Sequence, residues 1–431
     1  MKLKKVIVIG SGFAGLAAAN TLMDAGVEVL VLEARPVSGG RIITNQTLGV
    51  PIDLGAFIIH GITDNPITEF CDKLGLKYEP LNFKSRLAFD KDNHVISPAL
   101  IEEYYTAFEN IIANIDSRKM GQADLPLAEA IHKEIQSGTY TEVEKENFAM
   151  QIMLKSLYFG MELKYLSTVF WDAEDRMLGE ECLVVSGYFP IIEYLQQGLI
   201  VRHNCAVTKI DYEQPRIKVL AANEEMEADA VIVTVPVSIL KNNAIEFIPP
   251  LPVKKTQAIK NVGMGYLNKI IMLFPAPFWP AEYTVMTSLQ TFEDIAVFFN
   301  YFKFTQANIL MGTVAGEHAR SLEAKSDAEM TKLMLSALKK LFGDKVPTPE
   351  AVVITRWHQE PHIEGSYSYL PPGSTPDDYD DLAQPLAGKI FFAGEATHRT
   401  HAATTHGAYW SGQRAAEEVL AEFNSMTREP L

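Results

Sequence analysis

The sequence predicts an α/β protein, in which a Rossmann-like domain is assembled from separated stretches of chain around an inserted α+β domain. Three observations carry that expectation. The chain opens on a strand–glycine turn–helix–strand unit between Val6 and Glu33. Two further apolar strands, Ala230 to Pro236 and Lys389 to Phe392, return to the same pattern far downstream, the second ending at Ala393-Gly394-Glu395. The sequence between these pieces is of another character, first helical and then strand-rich.

The opening unit is the most specific. Val6 to Ile9 turns at once into Gly10-Ser11-Gly12-Phe13-Ala14-Gly15, Ala-rich helical sequence runs to Ala25, and a second strand from Val27 to Leu32 ends on Glu33. Gly10 allows the tight turn, Gly12 lets backbone approach a diphosphate, and Gly15 lets the helix pack close to the strand. Ala14 belongs to the same nucleotide-facing turn. The helix N-terminus presents free N–H groups and partial positive charge to the phosphates. Glu33 stands where a carboxylate accepts hydrogen bonds from both ribose hydroxyls of an adenosine. Beyond it come Arg35 and then Gly39-Gly40-Arg41. A second glycine pair with two guanidinium groups beside one diphosphate suits a dinucleotide that stays bound.

Bulk properties narrow the function. A chain of 431 residues exceeds one ordinary core, so two domains are expected. With 38 Lys and Arg against 54 Asp and Glu, the net charge is −16. Such a field disfavours nucleic acid and anionic membranes and draws in small cations. Cys71, Cys182 and Cys205 form no metal-binding or redox spacing, which suits free thiols in the cytoplasm. No apolar run is long enough to span a bilayer, no signal peptide is expected before the first strand, and Glu429-Pro430-Leu431 is not a peroxisomal signal.

Along the chain, a hairpin is expected around Gly49, leading through Asp53 to His60, and Asn65-Pro66 starts a helix to about Leu74. Helices follow at Ser97–Ile115, Leu125–Ile135 and Thr141–Tyr158, with apolar residues three and four apart. From Val184 the chain enters a helix over Phe189–Gln197, then strands at 200–201, 206–212 and 217–221. The Pro-rich stretch from Pro249 marks a crossing out of the nucleotide domain into strand-rich sequence from Tyr266 to Ala315, and a helix covers Ala328–Leu341. The last helix is expected over Gly407–Glu422.

The run from Glu33 to Arg41, together with the closing segment from Phe391 to Glu417, resembles the flavin-containing amine oxidase superfamily. The closing segment most resembles its spermine and acetylpolyamine oxidase branch. The likeness covers residues 6–75, 183–275 and 355–420; the helical stretch 80–180 carries none of its motifs. It implies a discontinuous, GR2-type FAD-binding domain from residues 1–78, 196–258 and 382–431, and a substrate-binding domain from 79–195 and 259–381.

By the same resemblance Gly40 and Arg41 join the first glycine turn at the diphosphate, and Val207 lies by the adenine. Glu395 meets the ribityl–phosphate region, Phe57 and Ile58 contact the flavin, and Thr404 and Thr405 lie under its ring. Ser366 stands where monoamine oxidases carry the cysteine that bonds to FAD, so the cofactor is expected to be non-covalent. Asn268-Lys269-Ile270 and the later Pro277-Phe278-Trp279 match the segment whose lysine holds a water against flavin N5. Lys269 is placed on a half-buried strand, with a pKa depressed by its neighbours. His60, in a run close to one found in polyamine oxidases, borders the amine. Trp357 and Tyr367 belong to the segment that presents an aromatic wall, and Thr404 replaces the second tyrosine of some members. Glu162 and Glu174 are candidates to grip a distal ammonium. His398, His401 and His406 are read as polar loop residues, and no metal is expected.

The implied reaction is hydride transfer from the carbon beside a neutral amine to flavin N5. The imine is then hydrolysed, and O2 is reduced to H2O2. The implied partners are O2 and a small cationic amine, a polyamine by preference. A monoamine or L-amino-acid oxidase is the alternative, and the latter needs a pocket arginine such as Arg320 or Arg356. A desaturase or protoporphyrinogen-oxidase-like enzyme leaves Lys269 without a role. A non-catalytic flavin-bound scaffold would need an inserted tower or module for which this length leaves no space.

Overall fold

The computed structural model describes residues 3–289 and 295–426. Residues 290–294 of the strand-rich stretch and the closing Glu429-Pro430-Leu431 lie outside the described residues.

The first strand, Lys5–Ile9, sits at the centre of a five-stranded parallel sheet. Glu28–Leu32 and then Ile200–Arg202 lie on one side, and Ala230–Val233 and then Ile390–Phe392 on the other. Three stretches of chain hundreds of residues apart therefore share one sheet. Alternate side chains of its central strands enter two different cores. Ile7, Ile9, Val231, Val233 and Phe392 pack towards a four-stranded sheet, including Ile210, Ile217 and Val219. Val6, Val8, Ile232 and Phe391 pack towards the first helix, Phe13–Asp24, and the last, Thr405–Met426. Burial on both faces explains why these strands are continuously apolar.

The two helices meet along small residues. A Cβ on Gly412 would lie 2.1 Å from the carbonyl oxygen of Ala14, so only glycine permits that approach. Ala14, Ala18 and Ala19 face Ala415, Ala416 and Val419 in the same core.

A seven-stranded, mostly antiparallel sheet forms the second centre, in the order 351–354, 267–273, 309–315, 297–300, 285–288, 86–89 and 95–96. The helix Asp327–Phe342 covers one face through Met330, Met334 and Leu338. On the opposite face Ile271, Met311, Phe299 and Val285 form a second apolar layer. Strand Leu267–Leu273 is thus enclosed on both faces, and Lys269 is 1% exposed rather than half-buried.

The expected helices in the middle of the chain are present with ends shifted by one or two residues: Pro98–Asp116, Leu127–Ser137 and Glu142–Phe159. Ser97 caps the first, and Thr141 with Glu144 forms a reciprocal capping box on the third. The helix expected over Phe189–Gln197 is present as Phe189–Gln196, and the residues before it, Cys182–Val184, add a strand between Ile58–Ile59 and Tyr78–Pro80 that the sequence reading did not include. Among the described residues no helix is long and apolar enough to cross a membrane.

Replacing Gly412 with Ala forces the first and last helices apart. We expect a loss of about 1–3 kcal/mol, read as a lower thermal midpoint; an unchanged midpoint would mean that the backbones do not meet there.

Candidate functional site

A cavity of about 620 Å³ begins at the carboxyl ends of the parallel strands and continues to the apolar face of the seven-stranded sheet. Of the candidate cofactor and substrate contacts, all line it except Gly15, Lys269 and Glu162. Ligand sites in parallel sheets form at such strand ends, where loops diverge.

At the sheet end the two glycine turns lie back to back. Gly39 N donates to Ser11 O at 2.9 Å, and a Cβ on Gly40 would lie 3.4 Å from Gly12 Cα. Gly10 has φ +103°, and a Cβ there would meet Thr234 Oγ1 at 2.6 Å. Gly15 works one step back: a Cβ on it would lie 2.0 Å from Gly10 O, so its role is to let the helix approach the strand. Glu33 is buried, and one of its oxygens accepts from Ser11 N and Ser11 Oγ, both at 2.8 Å. The other accepts from Arg35 N at 2.9 Å. Val207 lines the same region.

Arg35 donates to Gly40 O at 2.8 Å and lies 3.4 Å from Glu360. Arg41 spans the chain's two ends, donating at 2.8 Å to Ser366 O and to Glu395 Oε1. The other Glu395 oxygen accepts from Ser368 Oγ at 2.6 Å and Ala403 N at 2.9 Å. Thr404 Oγ1 donates to His401 O, and Thr405 opens the last helix, so a helix N-terminus faces the cavity. Ser366 Oγ is buried without a protein partner and lines the same wall.

Lys269 lies one layer behind the wall. Its Nζ donates to Asp53 O at 2.8 Å and Gly55 O at 2.6 Å, and sits 4.0 Å from the centroid of the Phe57 ring. Burial pulls the amine down to about 7, with Asp53 opposing. Burial likewise pushes the Asp53 carboxyl up to about 6, against hydrogen bonds from Thr44 and Tyr188. Gly55, Phe57 and Ile58 present this segment to the cavity. The Trp357 indole donates to Leu54 O at 3.3 Å and flanks Gly55.

Beyond the wall the lining becomes aromatic and acidic. His60 Nδ1 is 3.2 Å from Glu181, and its ring meets Tyr158 edge-on at 5.8 Å. Tyr367 is fixed by its hydroxyl, which donates to Leu157 O at 3.1 Å and Tyr158 O at 2.9 Å. Burial, and then the nearby Glu395, push Glu174 up to about 8.

Several expectations change. Glu162 does not reach the cavity; its carboxylate accepts from Glu317 N at 3.1 Å. Arg320 is paired with Glu317 at 2.9 Å and Arg356 with Asp327 at 2.7 Å, and neither lines the site. The three histidines are not merely loop residues. His398, His401 and His406 stack about Trp410 with centroids 5.1–6.0 Å apart, and burial holds His398 at about 4 and His406 at about 3. Sequence reading missed Glu181, Tyr158 and Arg86, which carry no local motif. Asp53 was legible in one respect, as the acid inside the apolar run from Val50 to Leu54.

Comparison with known proteins gives a consistent picture. Residues 13–420 match the family model for "Flavin containing amine oxidoreductase". Polyamine oxidase 2 of Arabidopsis thaliana is 34% identical, over 96% of this chain and 87% of its own. Lysine-specific histone demethylase 1 homolog 1 of the same plant is 32% identical over 96% of this chain, which spans only 52% of that protein. Cyclohexylamine oxidase from Brevibacterium oxydans IH-35A shares the fold, with a TM-score of 0.80 at 21% identity over 99% of this chain and 100% of that one.

The Lys269 environment has a measurable signature. The folded amine loses its proton near 7, whereas the unfolded one keeps it to about 10. Between those values the unfolded chain binds more protons, so stability rises with pH by up to about 1.4 kcal/mol per unit. Burial also pulls Lys255 down to about 7, so Lys269→Met is expected to reduce, by one proton's share, the slope in thermal midpoints taken from pH 7 to 10; an unchanged slope would mean that Lys269 is not depressed in the folded protein.

Proposed function

The chain belongs to the flavin containing amine oxidoreductases, and we propose that within this family it is a polyamine oxidase. Its cofactor is FAD, held without a covalent bond, and its substrates are amines. The observation that carries the proposal is one continuous cavity. It joins the paired glycine turns and Glu33 to an aromatic and acidic chamber containing His60, Glu181 and Glu174.

The residues present fit the cofactor. Glu33 offers a ribose-binding carboxylate, Gly12 and Gly40 leave a cradle that a Cβ would narrow, and the unpartnered Ser366 hydroxyl faces the cavity. Bound FAD supplies the hydride acceptor and passes the electrons to O2, yielding H2O2. In this reading Arg35 and Arg41 frame the diphosphate, Glu395 and Thr404 the ribityl and ring region, and the helix starting at Thr405 offsets negative charge there. Residues 1–78, 196–258 and 382–431 form the cofactor domain in this proposal, and 79–195 and 259–381 the substrate domain.

Glu181 attracts the ammonium, Glu174, which burial keeps protonated near neutral pH, offers it a polar wall, and His60 borders it with its ring fixed by Glu181. The Tyr367 ring, held by its hydroxyl bonds, presents an aromatic face to the amine. Lys269, behind the cavity wall, acts as a positioning residue: its amine holds the segment carrying Gly55 and Phe57 through the Asp53 and Gly55 carbonyls. The polyamine reading draws support from a polyamine oxidase matched over 87% of its length, whereas the histone demethylase is matched over 52%. Three free, buried thiols favour a cytoplasmic site of action.

Anaerobic mixing of the yellow protein with spermine or N-acetylspermine should bleach the flavin absorbance, and peroxide should appear in air. A flavin that stays oxidised with every polyamine tried would defeat the polyamine assignment. Glu33→Gln removes a charged acceptor and is expected to weaken FAD binding roughly tenfold to a hundredfold, as measured by fluorescence titration of the apoprotein.

A further inference from the structure

The part of the cavity farthest from the nucleotide fold contains a cation that the described residues do not balance. Arg86 opens the strand Arg86–Phe89 and lines the cavity. It stands in register with Val285, which pairs with Phe299, then Met311, then Ile271. Registered residues share a sheet face. Arg86 is therefore the single charged member at the end of an otherwise apolar row.

Its Nε is buried without a hydrogen-bond partner, and no carboxylate among the described residues pairs with it. Two acids of the helix Pro98–Asp116 packed beside it are paired with lysines: Glu102 with Lys84 at 3.0 Å and Glu109 with Lys155 at 3.1 Å. The phenol of Tyr105 is the one titratable group felt by the guanidinium. Arg86 is half-buried, so the desolvated and unpaired part of its guanidinium is the Nε–H, and a buried donor without a partner is costly. A planar fork of N–H donors is also the natural complement of a carboxylate. The opposite sign lies elsewhere in the chamber, at Glu181, with Leu154, Leu157 and Phe299 supplying apolar lining.

We propose that Arg86 is a specificity-determining residue that receives a carboxylate at the far terminus of the amine substrate. Preferred substrates carry an amine at one end and an anion at the other, rather than an ammonium at both. This rests on the reading of the cavity as an amine site and departs from the polyamine reading at the far terminus, placing carboxylated amines ahead of polyamines as substrates. The strands of Arg86 and Lys269 are four positions apart, about 19 Å at some 4.8 Å per strand. A long aliphatic amine reaches across that distance; an α-amino acid, with its carboxylate beside the reacting carbon, does not.

Calorimetric titration of the holoprotein with straight-chain alkanoates, and with alcohols of the same length, reads the site without turnover. Wild type should bind the alkanoate more tightly. Arg86→Gln should weaken alkanoate binding by at least about tenfold and leave alcohol binding and flavin absorbance unchanged, while Arg86→Lys should fall between. Equal alkanoate binding in wild type and Arg86→Gln, or no preference over the alcohol, overturns the proposal. In peroxide assays ω-amino carboxylates should exceed diamines of equal length in kcat/KM, and Arg86→Gln should reverse the order. Diamines preferred by wild type would overturn the Arg86 proposal and leave amine oxidation standing. Arg86-dependent alkanoate binding in a protein that oxidises no amine would support the anion site and sink the amine reading.

Discussion

The contact on which the site's geometry depends is the pair formed by the half-buried Arg41 and the buried Glu395, 2.8 Å apart and 354 positions distant in sequence. Arg41 also donates to the Ser366 carbonyl, and Glu395 accepts from Ser368 and Ala403. One ion pair with its hydrogen bonds thus holds the second glycine turn, the segment bearing Tyr367 and the loop before the last helix. Neither charge is left unsatisfied, which is the condition under which a buried pair is tolerated. Removing one partner of such a pair typically costs about 3–5 kcal/mol. It would also release three walls of the cavity together.

Close backbone approach works with this pair. Gly15 against Gly10, Gly55 against Arg41 and Gly412 against Ala14 are positions where an added Cβ would lie 1.8–2.1 Å from a carbonyl oxygen. The first and last of these draw the two terminal helices onto the first strand. The middle one brings the segment before Phe57 against the second glycine turn. Lys269 reaches the same segment from the seven-stranded sheet through Asp53 and Gly55 carbonyls. The nucleotide-binding turn and the aromatic chamber are therefore fixed to each other by glycines and one buried amine.

Much of this was legible in the sequence wherever the determinant is local. The glycine turn, Glu33, the parallel strands and the helix caps at Ser97 and Thr141 each follow from neighbouring residues in the chain. Resemblance extended that reading to Val207, Trp357, Tyr367, Thr404 and Thr405, all of which line the cavity. It failed where pairing is remote. Strand Arg86–Phe89 is four residues long and finds its parallel partner only at Val285–Ser288. Glu181 meets His60 across 121 positions. Glu162 and Glu174 look alike as acids, and only folding sends one to a backbone amide and the other into the cavity.

The same distinction separates attraction from selection. A net charge of −16 acts over many ångströms and favours any cation approaching the protein. Within the cavity that field is a poor discriminator, since at physiological salt charges in solvent are screened beyond about 8 Å. Choice among amines must instead be made by groups at contact distance, where desolvation makes each unpaired donor or charge count. Glu181 rewards a cation, as many surfaces of this acidic chain would. Arg86 does the opposite, and an ammonium brought beside it would meet a like charge with little water to screen it. In the proposal made above, discrimination at the far end of the cavity falls to Arg86, which shares its sign with Arg35 and Arg41 beside the glycine turns but lies on an edge-side strand outside every cofactor motif.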